Sequence, residues 1–133
     1  MPRQSWTIPA EPRQVAQLRS AVVSFAAEHG VPEPPIGDLK LAVSEAMTNV
    51  VVHAYDRRDP GNVDVSVTVD LPGREVTVVV VDEGLGMNPR ADSPGMGLGL
   101  PLIGNLATTL QITTPPGGSG TEVRMRFELP VAA

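Results

Sequence analysis

Three side chains that could do chemistry follow one another at four-residue steps in the segment LKLAVSEAMTNVVVHAY: Glu45, Asn49 and His53. At ~100° per residue of an α-helix, this carboxylate, carboxamide and imidazole fall within ~80° of one another. Six apolar residues lie roughly opposite them: Ile36, Leu39, Val43, Met47, Val50 and Ala54. The spacing predicts a helix that packs one face on a core and carries working polar groups on the other.

A second interpretation of this helix is a polar face that serves only solubility, and the helix alone leaves both open. The polar stripe is narrow, and Leu41 and Val52 flank it. We therefore expect the stripe to lie in a cleft and not in open water. A carboxylate placed in a cleft needs a chemical reason, because removing a charge from water is costly.

Two glycine-rich segments predict a different chemistry. VDEGLGM follows a run of valines, and PGMGLGL precedes a predicted helix. Gly95, Gly97 and Gly99 stand at alternate positions and let backbone amides turn toward an anion. A helix that follows adds its N-terminal field, which is typical of a phosphate site. The alternative is that these glycines only form turns, and neither a P-loop nor a GxGxxG dinucleotide motif is present.

Asp82 ends the valine-rich strand, where a carboxylate can accept a hydrogen bond from an exocyclic amine such as that of adenine. Taken alone, Asp82 fits a cap for the turn at Gly84 better. The order of the motifs favours the nucleotide: Glu45 and Asn49 on a helix, DxGxG after a strand, GxGxG before a helix, and Gly120-Thr121 at the start of the last strand.

The remaining patterns predict the elements that position these residues. They are an edge strand at Gln4–Ile8, a helix over 12–29, a proline-rich loop with Asp38 as N-cap of the next helix, strands at Val63–Leu71 and Val76–Val81, a third helix at Leu98–Leu106, and a hairpin of Leu110–Thr114 with Thr121–Leu129. Val63 to Leu71 alternates strictly, with the valines and Leu71 on one face. A sheet with one apolar face and one solvent-exposed polar face is typical of an antiparallel or mixed sheet that is covered by helices on one side.

Length and composition exclude several classes of protein. We predict a single domain over residues 1–133, enough to bury a core. There is no membrane-length apolar run and no signal peptide, so we expect a cytoplasmic protein that does not bind a membrane. The absence of cysteine excludes thiol chemistry, and two distant histidines argue against zinc. A net charge of −5 with one lysine offers no basic stripe for nucleic acid.

These ordered motifs resemble the GHKL (Bergerat-fold) ATP-binding domain of sensor histidine kinases, gyrase-type ATPases and the heat-shock chaperone, over nearly the whole chain. The resemblance implies the histidine kinase-like ATPase fold, an α+β two-layer sandwich. Its mixed, mostly antiparallel sheet has four to five strands, with about three helices on one face. The ExxxNxxxHAY helix and the small size are most similar to the stand-alone anti-sigma factor serine/threonine kinases of stress-response and sporulation switches.

The resemblance also implies a role for each matching residue. Asn49 would coordinate the Mg²⁺ that bridges the ATP phosphates, and Glu45 would be the general base toward a protein serine or a water. Asp82 would bind the adenine amine, and His53 would be structural. The other nucleotide contacts implied are Gly84, Gly86, Arg90 as a lid contact to the γ-phosphate, Gly95, Gly97, Gly99 and Thr121.

The function implied is that of an anti-sigma factor with ATP- and magnesium-dependent kinase activity. It would bind a sigma factor and phosphorylate a STAS-type anti-anti-sigma protein, regulating transcription by partner switching, with a homodimer left open. One alternative is a partner-switch module that binds nucleotide without catalysis, and another is a histidine-kinase ATP domain acting in trans. Only eight residues, Met87 to Pro94, separate the glycine motifs. We therefore expect a short lid and slow phosphoryl transfer.

Overall fold

The computed structural model of the chain describes residues 1–54, 61–83, 106–113 and 120–131. Within these ranges it confirms the predicted α+β class. The elements in chain order are β1 (Arg3–Pro9), α1 (Pro12–Glu28), α2 (Pro35–Asn49), a π-helical turn (Val50–Ala54), β2 (Asn62–Asp70), β3 (Glu75–Asp82), β4 (Thr109–Thr113) and β5 (Thr121–Glu128). Of the predicted third helix, only Leu106 lies within the described residues, where it is helical.

The five strands form one sheet in the order β1-β2-β3-β5-β4. Every pairing within the described ranges is antiparallel, in agreement with a mostly antiparallel sheet. The valine-rich strand β3 lies between β2 and β5, as predicted for an interior strand. The strand at the amino terminus, β1, forms one edge, and the two predicted hairpins, β2-β3 and β4-β5, are both present.

One face of the sheet is apolar because side chains along each strand alternate between the two faces. The alternate valines of β2 and β3 are almost completely buried, as are Val123 and Met125 of β5. Leu39, Val43 and Met47 of α2 belong to the same buried cluster, together with side chains of α1. Both helices therefore cover one face of the sheet, and the opposite face carries most of the polar residues of the strands.

The prediction that Leu71 belongs to the core face of β2 is wrong. The strand ends at Asp70, and Leu71 begins a turn closed by a hydrogen bond from the Arg74 N–H to the Leu71 carbonyl oxygen. Its side chain is 47% exposed. Side chains alternate between the two faces of a sheet only while the chain is paired in it. The apolar alternation in the sequence continues one residue past the end of β2, to Leu71.

The prediction that Asp38 caps α2 is also wrong. The helix begins at Pro35, and Pro34 is its N-cap. A proline at the first helical position loses no hydrogen bond, because the first N–H groups of a helix have no partner within it. Asp38 instead lies in the first turn of α2, where its negative charge interacts favourably with the positive end of the helix dipole.

None of the helices in the described ranges is long and apolar enough to span a membrane.

Candidate nucleotide site

The antiparallel pairing of β3 and β5 brings two predicted site residues to one end of the sheet. Asp82, the last residue of β3, lies directly opposite Thr121, the first residue of β5. Asp82 is 1% exposed and Thr121 is 3% exposed. These are two of the three buried polar residues within the described ranges, and the third is Asn49. A buried carboxylate beside a buried hydroxyl is the arrangement expected of a polar recognition site in an apolar core.

Gly120 is the residue that allows this close approach of the two strands. It has a φ of +86°, a backbone conformation that side chains other than glycine rarely adopt. A Cβ atom at this position would overlap the Asp82 carbonyl oxygen and would lie 3.0 Å from the Cα of Glu83. Both conditions require glycine immediately before Thr121. The structure thereby explains the Gly-Thr pair that was singled out in the sequence.

Asn49 is the last residue of α2 and is 4% exposed. Its side-chain Nδ2 is buried and has no hydrogen-bond partner among the residues that the structure describes. Leaving such a group unsatisfied costs roughly 1–3 kcal/mol. A carboxamide offers an oxygen acceptor as well as two donors, so a bound ligand can satisfy it. Asn49 is therefore placed as expected for a residue whose partner lies outside the described part of the chain, for example on a bound ligand.

Glu45 lies one helical turn before Asn49 and is partly exposed. It makes no hydrogen bond and no ion pair with the part of the chain that the structure describes. Both oxygens of this carboxylate are therefore available as acceptors. The predicted juxtaposition of Glu45 and Asn49 on one α-helix is present.

The α-helical spacing does not continue to His53. The chain changes after Asn49 to a π-helical turn over Val50–Ala54, whose i→i+5 hydrogen bonds give a wider turn than an α-helix. Each residue of this turn rotates about the helix axis by less than 100°. The predicted placement on one helix face therefore applies to Glu45 and Asn49 but not to His53. Single π-helical turns are frequently found at functional sites. The side chain of His53 lies outside the described residues, and its structural role stays a prediction.

The expectation that the polar stripe lies in a cleft agrees with the buried Asn49 and the half-buried Glu45, but the flanking residues Leu41 and Val52 are exposed. Leu41 is 42% exposed and Val52 is 54% exposed. Leu41 lies on the side of α2 opposite the core residues, and Val52 lies in the π-helical turn that follows α2.

Arg19 is a residue beside α2 that the sequence patterns did not single out. Its Nη1 donates a hydrogen bond to Ser44 Oγ at 3.2 Å, and Ser44 Oγ donates to the Lys40 carbonyl oxygen at 3.0 Å. The Nε of Arg19 is buried and has no hydrogen-bond partner in the described ranges. The guanidinium therefore joins α1 to the residue directly before Glu45. The signal in the sequence that could have identified Arg19 is its position directly after the core residue Leu18.

The remaining predicted contacts lie outside the described residues. They are Gly84, Gly86, Arg90, Gly95, Gly97 and Gly99.

A concavity of about 660 Å³ is present on the open face of the sheet, where its lining includes Arg3, Asp64, Thr77 and Arg124. Asp82 and Thr121 do not line it, because their side chains point to the face covered by the helices.

The fold and these positions define a nucleotide-binding domain of the α+β sandwich type, and sequence comparison agrees. The chain belongs to the histidine kinase-like ATPase domain family, whose match covers residues 8–127. This family membership confirms the resemblance on which the site assignment was based, and it implies the use of ATP.

The relatives that match the chain include regulators of sigma factors. It is 33% identical over 119 residues to the anti-sigma F factor of Clostridium acetobutylicum, covering 81% of this chain and 80% of the relative. It is 31% identical over 125 residues to the serine-protein kinase RsbW of Bacillus thuringiensis, covering 83% and 76%. The predicted similarity to anti-sigma factor serine kinases is thus confirmed.

Solved structures support the fold. The crystal structure of the RsbU and RsbW domains of a Mycobacterium tuberculosis protein matches with a TM-score of 0.76 at 22% identity. The match covers 100% of this chain and 34% of that one, so this chain spans about a third of the solved protein. The histidine kinase domain of a blue-light activated histidine kinase from Erythrobacter litoralis matches with a TM-score of 0.60 at 27% identity, covering 92% and 62%.

Proposed function

We propose that this chain is an anti-sigma factor that also acts as an ATP-dependent serine/threonine protein kinase on an anti-anti-sigma partner. Phosphorylation of the partner would control which of the two proteins the chain binds, and so regulate transcription. The observation that carries the proposal is the arrangement on α2. A carboxylate without a partner in the described ranges, Glu45, stands one turn before Asn49, a buried carboxamide whose Nδ2 lacks one.

The adenine end of the proposed site is formed by Asp82 and Thr121. Asp82 is a carboxylate buried at the end of β3, and burying a charge disfavours folding unless hydrogen bonds or ion pairs compensate for the lost water. At the end of an interior strand, its oxygens can accept a hydrogen bond from the adenine amine but not from the corresponding carbonyl of guanine. Gly120 supports this role because it holds β5 close enough to β3 for Thr121 to complete the same pocket.

The phosphate end would be formed by Asn49 together with the two glycine motifs and Arg90. The buried carboxamide fits a magnesium ion, which prefers oxygen ligands and takes few of them from protein. When bound, magnesium would neutralise charge on the phosphates. In this proposal Asn49 provides an oxygen ligand at a fixed position, because the end of α2 is anchored by the buried residues Ala46, Met47 and Val50.

Glu45 would act as the general base. Its partial exposure leaves room for a protein serine to approach, and it has no described partner to compete for its oxygens. The carboxylate would accept the serine proton as the serine oxygen bonds to the γ-phosphorus and the bond from that phosphorus to the bridging oxygen of the leaving ADP breaks. The position of Glu45 on the same helix as Asn49 supports this role, because a rigid helix keeps the base and the phosphate site at a constant separation.

The short lid favours one alternative, a module that binds nucleotide and partners but transfers phosphate slowly or not at all. Phosphoryl transfer depends on water exclusion and positioning, and eight residues between the glycine motifs provide little cover. Several finer points remain proposals of their own: a partner of the STAS type, a homodimer, a cytoplasmic location, and a single domain over residues 1–133.

The decisive experiment is a transfer assay with the purified chain, labelled ATP, magnesium and candidate anti-anti-sigma proteins. We expect label on a partner serine, identified by mass spectrometry. Binding of the sigma factor is measured in parallel with the same preparation. Sigma-factor and nucleotide binding without transfer to any partner would favour the non-catalytic module and contradict the kinase.

A further inference from the structure

A groove of about 730 Å³ lies at the end of the sheet away from the proposed nucleotide site. Its walls come from the chain after α1, the turn between β2 and β3, and the chain after β5. The lining residues are Gly30, Pro32, Leu71, Pro72, Arg74, Leu129, Pro130 and Val131. We propose that this groove, here called the distal groove, binds a small amphiphilic carboxylate whose apolar chain lies along it and whose charge pairs with Arg74. The proposal goes beyond the kinase function and is independent of it.

The distal groove is separate from the proposed adenine end of the nucleotide site. β3 starts directly after Arg74 and ends at Asp82. β5 starts at Thr121 and ends directly before Leu129. At ~3.3 Å per residue, the eight residues of β3 place the two sites roughly 25 Å apart. A ligand of the distal groove therefore occupies a site of its own.

Backbone hydrogen bonds form the distal groove before any ligand binds. The Leu129 N–H donates to the Arg74 carbonyl oxygen at 2.8 Å, and the Arg74 N–H donates to the Leu71 carbonyl oxygen at 3.0 Å. The three prolines of the lining add rigidity, because the ring of proline fixes φ. A preformed concavity of this size falls within the range of about 300–1,000 Å³ that is typical of small-molecule sites.

The lining of the distal groove is suited to an apolar chain. Leu71 is 47% exposed and Val131 is 70% exposed, two of the five large hydrophobic side chains that are exposed within the described ranges. The three prolines have no N–H to donate, and Arg74 is the one charged residue among those that line the groove. A sugar or a nucleotide would lose hydrogen bonds to water here without replacing them, whereas an alkyl chain has none to lose.

The charge of Arg74 has no partner in the described part of the chain, where this exposed side chain forms neither an ion pair nor a hydrogen bond. Of the two acidic residues that flank its turn, Asp70 accepts the Gly73 N–H through Oδ1 at 3.0 Å. The other, Glu75, accepts a hydrogen bond from Arg126 Nη1 through Oε2 at 3.0 Å. Because a guanidinium can donate two parallel hydrogen bonds to one carboxylate, the unpaired Arg74 favours a ligand with a single negative charge.

The backbone of Arg74 indicates that the arginine does not serve stability. Its φ is +53°, and within the described ranges it is the one residue other than glycine with a positive φ. This conformation brings the Cβ of an L-residue close to the following carbonyl oxygen, so glycine is favoured here. Strained backbone of this kind is concentrated at ligand sites. Arg74 therefore fits a residue whose side chain binds a ligand.

The test titrates the isotope-labelled chain with sodium decanoate, below the concentration at which decanoate forms micelles, and follows backbone amide signals by NMR. We expect changes at Gly30, Leu71, Arg74 and Leu129, with a dissociation constant on the order of 1 mM or lower. Decyltrimethylammonium has the same alkyl chain with a positive charge, and it should leave these signals unchanged. Changes spread over the whole chain without saturation would mean an adventitious additive only and would overturn the proposal.

Arg74→Gly separates ligand binding from stability. It should weaken decanoate binding at least fivefold, because the charge-assisted hydrogen bonds are lost. It should also raise the melting temperature by roughly 2–4 °C, because glycine relieves the strain of the positive φ. A purely structural role of Arg74 predicts the opposite, a lower melting temperature with unchanged decanoate affinity. Leu71→Gln should weaken binding as well, since it places an amide along the alkyl chain.

Two control variants change similar residues at other places on the surface. Arg13→Gln removes an exposed arginine of α1, and Leu41→Gln removes a leucine of α2 that is 42% exposed. Both should bind decanoate like wild type. Wild-type decanoate affinity in Arg74→Gly and Leu71→Gln would overturn the distal groove as a ligand site.

Two larger occupants are tested with the same variants. Analytical ultracentrifugation detects a second copy of the chain: self-association that Leu71→Gln abolishes, without decanoate binding by wild type, would assign the groove to that copy. Vesicles of anionic lipid detect a membrane surface: co-sedimentation that Arg74→Gly abolishes, again without decanoate binding, would assign the groove to lipid. Either result would overturn the proposal, and saturable decanoate binding that is lost in Arg74→Gly supports it.

Discussion

Two polar side chains of the proposed site have no hydrogen-bond partner within the described residues. Asn49 is buried with an unsatisfied Nδ2, and Glu45 has no described partner one turn away. The Asn49 arrangement is unfavourable without a ligand, because an unsatisfied buried amide costs roughly 1–3 kcal/mol. An acceptor oxygen of a bound nucleotide would relieve this cost, so the proposed site is tested most directly by changing single polar groups.

Replacing Glu45 with glutamine should leave nucleotide and sigma-factor binding nearly unchanged while reducing phosphorylation of the partner by about 10²- to 10⁴-fold. Glutamine keeps the size and the hydrogen bonding of glutamate but cannot accept the serine proton. The loss should therefore appear in kcat, measured by mass spectrometry of the partner at saturating ATP. Glu28→Gln, which neutralises an exposed carboxylate at the end of α1, is the control. Undiminished transfer by Glu45→Gln would remove Glu45 as the base.

Asp82→Asn should reduce the preference for ATP over GTP. The amide places a donor where the adenine amine also donates, and it can donate to the guanine carbonyl instead. We expect the ATP-to-GTP affinity ratio to fall about tenfold or more, as an unsatisfied buried polar group predicts. Competition binding measures this ratio, with Asp64→Asn as a control on the opposite face of the sheet near the same end. An identical preference in Asp82→Asn and wild type would make Asp82 a turn cap.

At the scale of elements, the pairing of β3 with β5 assembles the proposed adenine end of the site. These strands are far apart in the chain, and antiparallel pairing alone places Asp82 opposite Thr121. Gly120 is the limiting residue of this pairing because it has a positive φ and no room for a Cβ atom. The π-helical turn performs a comparable task at the end of α2, where it changes the helical path directly after Asn49.

Gly120→Ala should destabilise the protein by at least about 1–2 kcal/mol from backbone strain alone, with a further loss from the overlap with the Asp82 carbonyl. Gly37→Ala provides a matched comparison within α2, since its Cβ would make an ordinary contact of 3.4 Å with Glu33 Oε2. That variant should be more stable than wild type by roughly 0.5–1 kcal/mol, because alanine is the better helix former. Urea unfolding of both variants measures the two effects. Equal stabilities would show that the close approach at Gly120 is not needed.

On the scale of the whole molecule, the proposed site joins the end of α2 to the ends of two strands. One ligand that touches both layers should therefore stabilise the entire domain. The core that holds these parts together is a single cluster extending from α1 and α2 to β2, β3 and β5. Binding to the folded state alone raises stability by about 2.7 kcal/mol at a ligand concentration 100 times the Kd.

ATP with magnesium should consequently raise the melting temperature by several degrees, more than ATP with a chelator does. In Asn49→Ala we expect most of this magnesium-dependent increase to disappear. Asn49→Asp should retain part of it, because an oxygen ligand remains. Without ligand, Asn49→Ala should lose little stability, since the Nδ2 has no hydrogen bond in the described ranges to lose. Differential scanning calorimetry measures these melting temperatures, and equal magnesium effects in wild type and Asn49→Ala would exclude Asn49 from the metal site.

Local patterns in the sequence were sufficient for the described strands and α-helices and for most of the core, but not for the π-helical turn at Val50–Ala54. Periods of 2 and 3.6 residues encode which side of a strand or helix is buried, so the valines of β2 and β3 and the apolar side of α2 could be assigned from the sequence. The ordered motifs also identified the family and the residues Glu45, Asn49, Asp82 and Thr121 as candidates. The element ends were less accurate, because turn chemistry at Leu71 and a proline start at Pro35 override the periodicity.

Only the tertiary structure decided how these residues meet. Strand register places Asp82 opposite Thr121, and backbone approach between β3 and β5 explains Gly120. Packing of α1 against α2 brings Arg19 to Ser44, and the position of α2 on the sheet leaves Leu41 exposed. Each of these depends on contacts between segments distant in sequence. Hydrophobic periodicity describes which side of one segment is buried, but it carries no information on which other segment covers it or how closely the two backbones approach.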